Sequence, residues 1–82
     1  MNKLEIFKKK LIYRSNYRGT KEMDILLSGF VKKYIDLFDE DQLIQLDKFL
    51  DFEDEVILNY YYRNIVDKNI EKNSISKIFK KY

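Results

Sequence analysis

Apolar side chains recur along this chain at intervals of three and four residues, the spacing that places them on one face of an α-helix. In the first segment Leu4, Phe7 and Leu11 form such a stripe, and Ile6 and Tyr13 fall on the opposite side. The pattern predicts helices at about 3–14, 20 to 36 or 38, 40–50, 55–65 and from residue 74 onward. The predicted fold class is therefore all-α, a small five-helix bundle in which residues 1–82 form a single domain.

The second helix is the most apolar of the five and is expected at the centre of the bundle. A wide arc of its surface is apolar and comprises Met23, Leu26, Leu27, Phe30, Val31, Tyr34, Leu37 and Phe38. The stretch 67–73 is polar, so a loose connection is expected there. Ser74 is the candidate N-cap of the last helix.

Composition supports helices and excludes several kinds of site. The 82 residues include no Pro and two Gly, so little interrupts a helix. The absence of Cys and His excludes disulfides, the usual zinc sites and the catalytic sets that need a histidine. An enzyme built on Glu22 and Asp24 is disfavoured, because side chains two residues apart on a helix do not face each other. We expect a non-enzymatic protein with no metal and no cofactor of its own.

Charge is distributed unevenly around a net value of +2. Residues 1–22 hold seven Lys/Arg and two Glu, residues 39–55 hold eight Asp/Glu and one Lys, and residues 56–82 hold six basic and two acidic groups. A nucleic-acid binder more often shows one broad basic surface. Nucleic acid is therefore not the expected partner. A second possible function uses the basic N-terminal helix and tail, and it is that of a small helical regulatory adaptor or nucleic-acid-associated protein.

Membrane insertion is not expected from the sequence. No apolar run approaches the ~20 residues of a membrane span. The first residues enter an amphipathic pattern without the apolar core of a signal peptide. We expect a monomeric protein of the cytoplasm, or of the mitochondrial matrix if the source is eukaryotic.

The stretch Arg18-Gly19-Thr20-Lys21-Glu22 is the most informative part of the chain and has two interpretations. In the first, Gly19 is an N-cap, Glu22 caps backbone N–H groups from position N3, and Arg18 is a solvated loop residue. In the second, an exposed Arg and Glu flank a turn and form a patch for partner recognition. Gly19 would then permit the close approach of another backbone.

Two further features allow two interpretations each. Asp24 lies at the margin of the apolar face of the second helix, where it either bonds Arg14 or Arg18 or is reserved for a partner. The cluster Tyr60-Tyr61-Tyr62-Arg63 points three rings in three directions, so at least one ring should reach the surface. These rings are either core and rim residues or an aromatic anchor for another protein.

Two stretches resemble a known family. The first comprises Tyr13-Arg14-Ser15 and Arg18-Gly19-Thr20-Lys21-Glu22-Met23-Asp24, followed by Leu27 and Phe30. The second comprises Phe49-Leu50, Asp54, Ile57 and Tyr60, with Ile in place of the family's Leu and Tyr in place of its Trp. Over about residues 4–65 the sequence resembles the succinate dehydrogenase assembly factor 2 family, the bacterial FAD assembly factors, which carry an R-G-x-x-E motif. The basic tail, residues 66–82, departs from that pattern.

The resemblance implies a five-helix bundle that binds the flavoprotein subunit of succinate dehydrogenase, and in some cases that of fumarate reductase. It implies that the factor promotes covalent attachment of FAD to a His of that partner, so FAD would not belong to this chain. It also implies that Arg18, Gly19 and Glu22 bind the partner, with Asp24 as a neighbour in the same patch. Arg14 and Tyr60 are candidates for further partner contacts.

Overall fold

The computed structural model describes residues 2–82, in which six α-helices and no β-strand are present. The helices are α1 (Lys3–Ser15), α2 (Lys21–Tyr34), α3 (Glu40–Phe49), α4 (Asp54–Arg63), α5 (Lys68–Lys72) and α6 (Ser74–Lys80). The all-α prediction is confirmed, and the predicted number of five helices is wrong by one. Residue 1 of the predicted domain lies outside the described residues. No helix in this range is both long enough and apolar enough to cross a membrane.

The additional helix, α5, lies in the stretch for which the sequence predicts a loose connection. Asp67 caps it by accepting a hydrogen bond from the backbone N–H of Asn69 at 2.8 Å. Ile70 is fully buried and anchors the segment to the core. One apolar residue among polar neighbours produces no detectable period, which is why the pattern did not reveal this helix.

Asparagine and aspartate side chains set the beginnings of several helices. Asn2 caps α1, as its position suggests, by accepting from the N–H of Glu5 at 2.8 Å. Asp39 and Gln42 form a reciprocal capping box at the start of α3. Asn73, rather than Ser74, caps α6, and its amide nitrogen also donates to the carbonyl oxygen of Gln45 at 2.9 Å. This last bond ties the C-terminal segment to α3.

One hydrophobic core is shared by all six helices. Helix α1 packs on α2 and α3, and α6 packs on α3, α4 and α5. The ring of Phe79 lies 5.0 Å from that of Phe30 and 5.2 Å from that of Phe49, so α6 closes the core between α2 and α3. The fully buried apolar residues are Leu11, Met23, Leu27, Phe30, Val31, Leu43, Leu46, Phe49, Ile57, Ile70, Ile75 and Phe79.

Two residues that the pattern assigned to the core are exposed, Leu4 and Leu37. Helix α2 ends at Tyr34, and a turn follows in which Ile35 and Phe38 point inward while Leu37 points outward. Helical spacing does not continue through a turn, so the prediction failed for Leu37.

The burial of Ile70 can be tested by truncation. We expect Ile70→Ala to lower the free energy of unfolding by about 2–5 kcal/mol, because it removes a side chain buried in the shared core. Urea denaturation followed by far-UV circular dichroism measures the change. Lys68→Ala, at an exposed position of the same helix, is the control and should change stability by less than about 0.5 kcal/mol. Equal effects of the two substitutions would mean that α5 is not anchored to the core.

Candidate functional site

The corner between α1 and α2 is held by the side chain of Arg18. Its Nε donates to Asp54 Oδ1 at 2.8 Å, its Nη1 to the carbonyl oxygen of Leu50 at 2.9 Å, and its Nη2 to that of Phe52 at 3.0 Å. The side chain is only 14% exposed. Leu50 is the C-cap of α3, where carbonyl groups lack helical partners and the helix dipole favours a cation. Arg18 is therefore neither a solvated loop residue nor a freely exposed contact, but a clamp on the turn between α3 and α4.

Gly19 continues this clamp through its backbone. Its N–H donates to Asp54 Oδ2 at 2.8 Å, and a Cβ at this position would lie 3.0 Å from the same oxygen. The φ angle of Gly19 is not positive, so no unusual backbone conformation requires glycine here. Its missing side chain instead allows the carboxylate of Asp54, a group of the same chain, to come close to the backbone. The N-cap of α2 is Thr20, which accepts from the N–H of Met23 at 3.2 Å, so the prediction of Gly19 as N-cap is wrong.

Asp24 bonds Arg18, one of the two arginines expected for it, whereas Arg14 bonds other groups. Asp24 accepts a hydrogen bond from the backbone N–H of Arg18, not from a guanidinium group. Arg14 bridges α1 to α3 instead: its Nη1 donates to the carbonyl oxygen of Asp47 at 3.0 Å, and it pairs with the carboxylates of Asp47 and Asp51. Both side chains therefore stabilise the corner from within.

Glu22 is the one charged member of the R-G-x-x-E motif whose side chain remains at the surface. It lies at the edge of a groove of about 520 Å³ between the start of α2 and one face of α4. The groove is lined by Thr20, Glu22, Asp54, Glu55, Leu58, Asn59, Tyr62 and Arg63. Because Arg18 neutralises Asp54, the free charges of the groove are the two glutamates and Arg63.

Tyr62, and not Tyr60, is the tyrosine of α4 that faces this groove. Tyr60 is 8% exposed, with Lys80 Nζ 5.1 Å from its ring centroid, so its ring offers no surface to a partner. Tyr62 is 57% exposed, as expected for at least one ring of the cluster. Desolvation, together with a hydrogen bond to Glu22 and the charge of that carboxylate, raises the pKa of Tyr62. Its hydroxyl group therefore remains a hydrogen-bond donor at physiological pH.

The structure brings all four predicted motif residues to one corner but divides their roles. Arg18, Gly19 and Asp24 bond within the chain, and Glu22 faces outward. Asp54 was not predicted as a site residue, and Tyr62 was included only as one ring of a cluster that serves either the core or a partner. Two signals could have identified Asp54: it matches the family pattern, and it lies in the acidic segment 39–55, which could supply a partner for the basic residues of the corner. Nothing in the sequence distinguished Tyr62 from its two neighbours.

Comparisons with known proteins agree on one family. The sequence model of a family described as flavinator of succinate dehydrogenase matches residues 9–82, which include the basic tail. A mitochondrial succinate dehydrogenase assembly factor 2 from Scheffersomyces stipitis is 46% identical over 59 residues, covering 72% of this chain and 38% of the relative. The protein of that name from Lodderomyces elongisporus is 33% identical over 82 residues, covering 95% and 50%. This chain spans half or less of the length of these curated relatives.

The clamp predicts a specific loss of stability. We expect Arg18→Ala to lower the free energy of unfolding by about 2–4 kcal/mol, because it leaves Asp54 Oδ1 and two carbonyl groups without their donor and Asp54 without its counter-charge. Arg18→Lys should recover little, since an ammonium group cannot reproduce the planar fork. Chemical denaturation measures both. The control is Lys21→Ala, which removes an exposed cation three residues away. Equal losses of stability in Arg18→Ala and Lys21→Ala would show that the clamp contributes nothing.

The proximity of Glu22 to Tyr62 predicts a change in titration. We expect Glu22→Gln to lower the pKa of Tyr62 towards its ordinary value, because the negative charge that disfavours the phenolate is removed. NMR observation of the Tyr62 ring carbons from pH 8 to 12 measures the shift, with Glu71→Gln as the control at a distant exposed position. An unchanged Tyr62 titration in Glu22→Gln would show that the two side chains do not interact.

Proposed function

The chain belongs to the family of flavinators of succinate dehydrogenase, and on this premise we propose that it binds the flavoprotein subunit of that enzyme and promotes covalent attachment of FAD to it. The names of the relatives describe assembly factors, in agreement with the expectation of a non-enzymatic protein. The flavoprotein subunit of fumarate reductase is proposed as a further target of the same kind.

The geometry of the corner is the observation that best supports this proposal. Glu22 lines a groove together with Leu58, Tyr62 and Arg63. Tyrosine and arginine beside an apolar side chain are typical of protein–protein contacts, and the carboxylate adds a charge that discriminates between partners. Because the clamp fixes the start of α2 to the turn before α4, both sides of the groove keep one spacing. A partner would thus meet a preorganised surface, and binding would cost less ordering entropy.

The proposed mechanism assigns the chemistry to the partner. The factor would bind the flavoprotein in a conformation that holds the flavin ring next to the acceptor His of that protein, with its redox interface still open. Binding raises the population of that conformation to the extent that the factor has a higher affinity for it than for the other conformations of the flavoprotein. Holding the two reacting groups together lowers the entropic part of the barrier without a catalytic side chain from the factor. FAD would be held by the partner throughout.

The nucleic-acid-associated alternative gains no support from the structure. Lys8 is paired with Asp36, Arg14 with Asp47 and Asp51, and Arg18 with Asp54. Three of the seven N-terminal cations are therefore neutralised within the chain. The acidic helix α3 also packs directly on the basic helix α1. Both features reduce the continuous positive surface that phosphate binding requires.

Covalent flavin in the partner provides the test. The flavoprotein subunit is coexpressed with the parent chain, with Glu22→Ala, or with no factor, and its in-gel flavin fluorescence is compared. We expect Glu22→Ala to reduce covalent flavin severalfold, because a loss of about 1.4 kcal/mol in binding lowers the affinity tenfold. The far-UV circular dichroism spectrum of the variant should be unchanged, since Glu22 forms no part of the clamp.

Glu71→Ala is the matched control, because it removes the same charge from an exposed position on α5. It should support flavinylation as well as the parent chain does. Equal fluorescence with Glu22→Ala and Glu71→Ala would remove Glu22 from the binding surface. Equal fluorescence with and without the parent chain would contradict the proposed function itself.

A further inference from the structure

We propose that the exposed face of α1 is a second contact surface for the same flavoprotein subunit, with Tyr17 as its anchor. This surface, here called the tyrosine stripe, consists of Ile6, Tyr13 and Tyr17 with the flanking Lys9 and Lys10. The inference rests on the proposed function and adds a contact region outside the R-G-x-x-E motif.

The tyrosine stripe follows one face of α1 and extends into the turn after that helix. Ile6 and Tyr13 are seven residues apart, two helical turns, and therefore share one face of α1. Tyr17 follows the helix, and its ring centroid lies 5.9 Å from that of Tyr13. Tyr13 is 69% exposed and Tyr17 is 82% exposed. Neither ring belongs to the core cluster of this chain.

The backbone of Tyr17 is in an unfavourable conformation for an aromatic residue. Its φ angle is 58°, in the left-handed region that glycine and asparagine adopt more readily. Hydrogen bonds on both sides hold it there: Asn16 N–H donates to the carbonyl oxygen of Tyr13 at 3.1 Å, and Arg18 N–H donates to Asp24. The fold thus imposes a strained backbone conformation on Tyr17, although it does not bury the side chain of this residue. Such strain is concentrated at functional sites, and burial against another protein would give this ring a role.

The position of Tyr17 connects the stripe to the groove. Tyr17 directly precedes Arg18 and Gly19, and Thr20 and Glu22 at the start of α2 line the groove. Tyr17 thus lies within five residues, along the chain, of two residues that line the groove. One partner would therefore contact both the stripe and the groove.

Charge indicates which surface of the partner meets the stripe. Lys9 and Lys10 are exposed, whereas the neighbouring Lys8 is paired with Asp36 at 3.3 Å. The stripe therefore fits an apolar pocket with an acidic rim, and the groove, with Glu22 and Glu55, fits a basic or N–H-rich segment. Two contacts of opposite sign would fix the orientation of the factor on its partner.

A second copy of this chain is a less suitable occupant. Two tyrosines and one isoleucine can bury roughly 400–500 Å², whereas a stable protein interface buries about 800 Å² on each partner. The stripe alone is too small for a stable dimer, but it suffices as one part of a larger contact that includes the groove.

The test compares affinity for the purified flavoprotein subunit with the thermal stability of the factor alone. We expect Tyr17→Asn to weaken binding at least tenfold while the Tm of the factor stays equal or rises, because asparagine adopts the left-handed conformation more readily. Tyr13→Gln, on a regular helix, should also weaken binding without lowering Tm. Leu37→Asn is the matched control: it removes an exposed apolar side chain at the other end of α2 and should bind like the parent.

The other outcomes of this experiment distinguish a failure of the stripe proposal from a failure of the proposed function. If Tyr17→Asn and Tyr13→Gln bind as tightly as the parent while Glu22→Ala does not, the stripe is not a contact and the proposed function stands. If the parent itself does not bind, both proposals fail. A Tm lowered together with affinity in both tyrosine variants would assign the rings to the fold. A parent dimer that dissociates in Tyr17→Asn would assign the stripe to a second copy. Either of these last two results overturns the inference.

Discussion

The carboxylate of Asp54 determines the geometry of the functional corner. One oxygen accepts from Arg18 Nε and the other from the backbone N–H of Gly19, each at 2.8 Å. The guanidinium group also binds two carbonyl groups beyond the end of α3, so three segments meet at one ion pair. At 14% and 25% exposure these side chains are partly screened from water, and their several hydrogen bonds offset the desolvation of the charges. This pair joins the start of α2 directly to the start of α4.

This arrangement divides the motif into structural and surface parts. Arg18, Gly19 and Asp24 use their polar groups within the chain, and they thereby hold Glu22 and Tyr17 outward on either side of the corner. The side chains that we propose for contact with a partner are therefore Glu22 and Tyr17. A fixed surface of a few side chains can select one conformation of a larger protein.

The sequence was sufficient to predict helices, most of the apolar face of α2 and the place of the corner, because each depends on local spacing. The number of helices and the exposure of Leu37 were not predictable in this way, since they depend on where the chain turns and on one buried residue, Ile70. The atoms that Arg18 and Asp24 bond were not predictable for a related reason. Their partners, Asp54, the carbonyl groups after α3 and a backbone N–H, are brought near only by tertiary packing. Residue type suggested an exposed patch, whereas the contacts show a clamp.

The central claim is that the surface around the clamped corner is where the flavoprotein subunit binds. Hydrogen–deuterium exchange of the factor, alone and in complex with the purified flavoprotein subunit, tests this most directly. We expect slower exchange of backbone amides at 17–23 and 55–63 in the complex, with residues 68–80 on α5 and α6 unchanged. Protection confined to α5 and α6, with the corner exchanging as in the free chain, would contradict it.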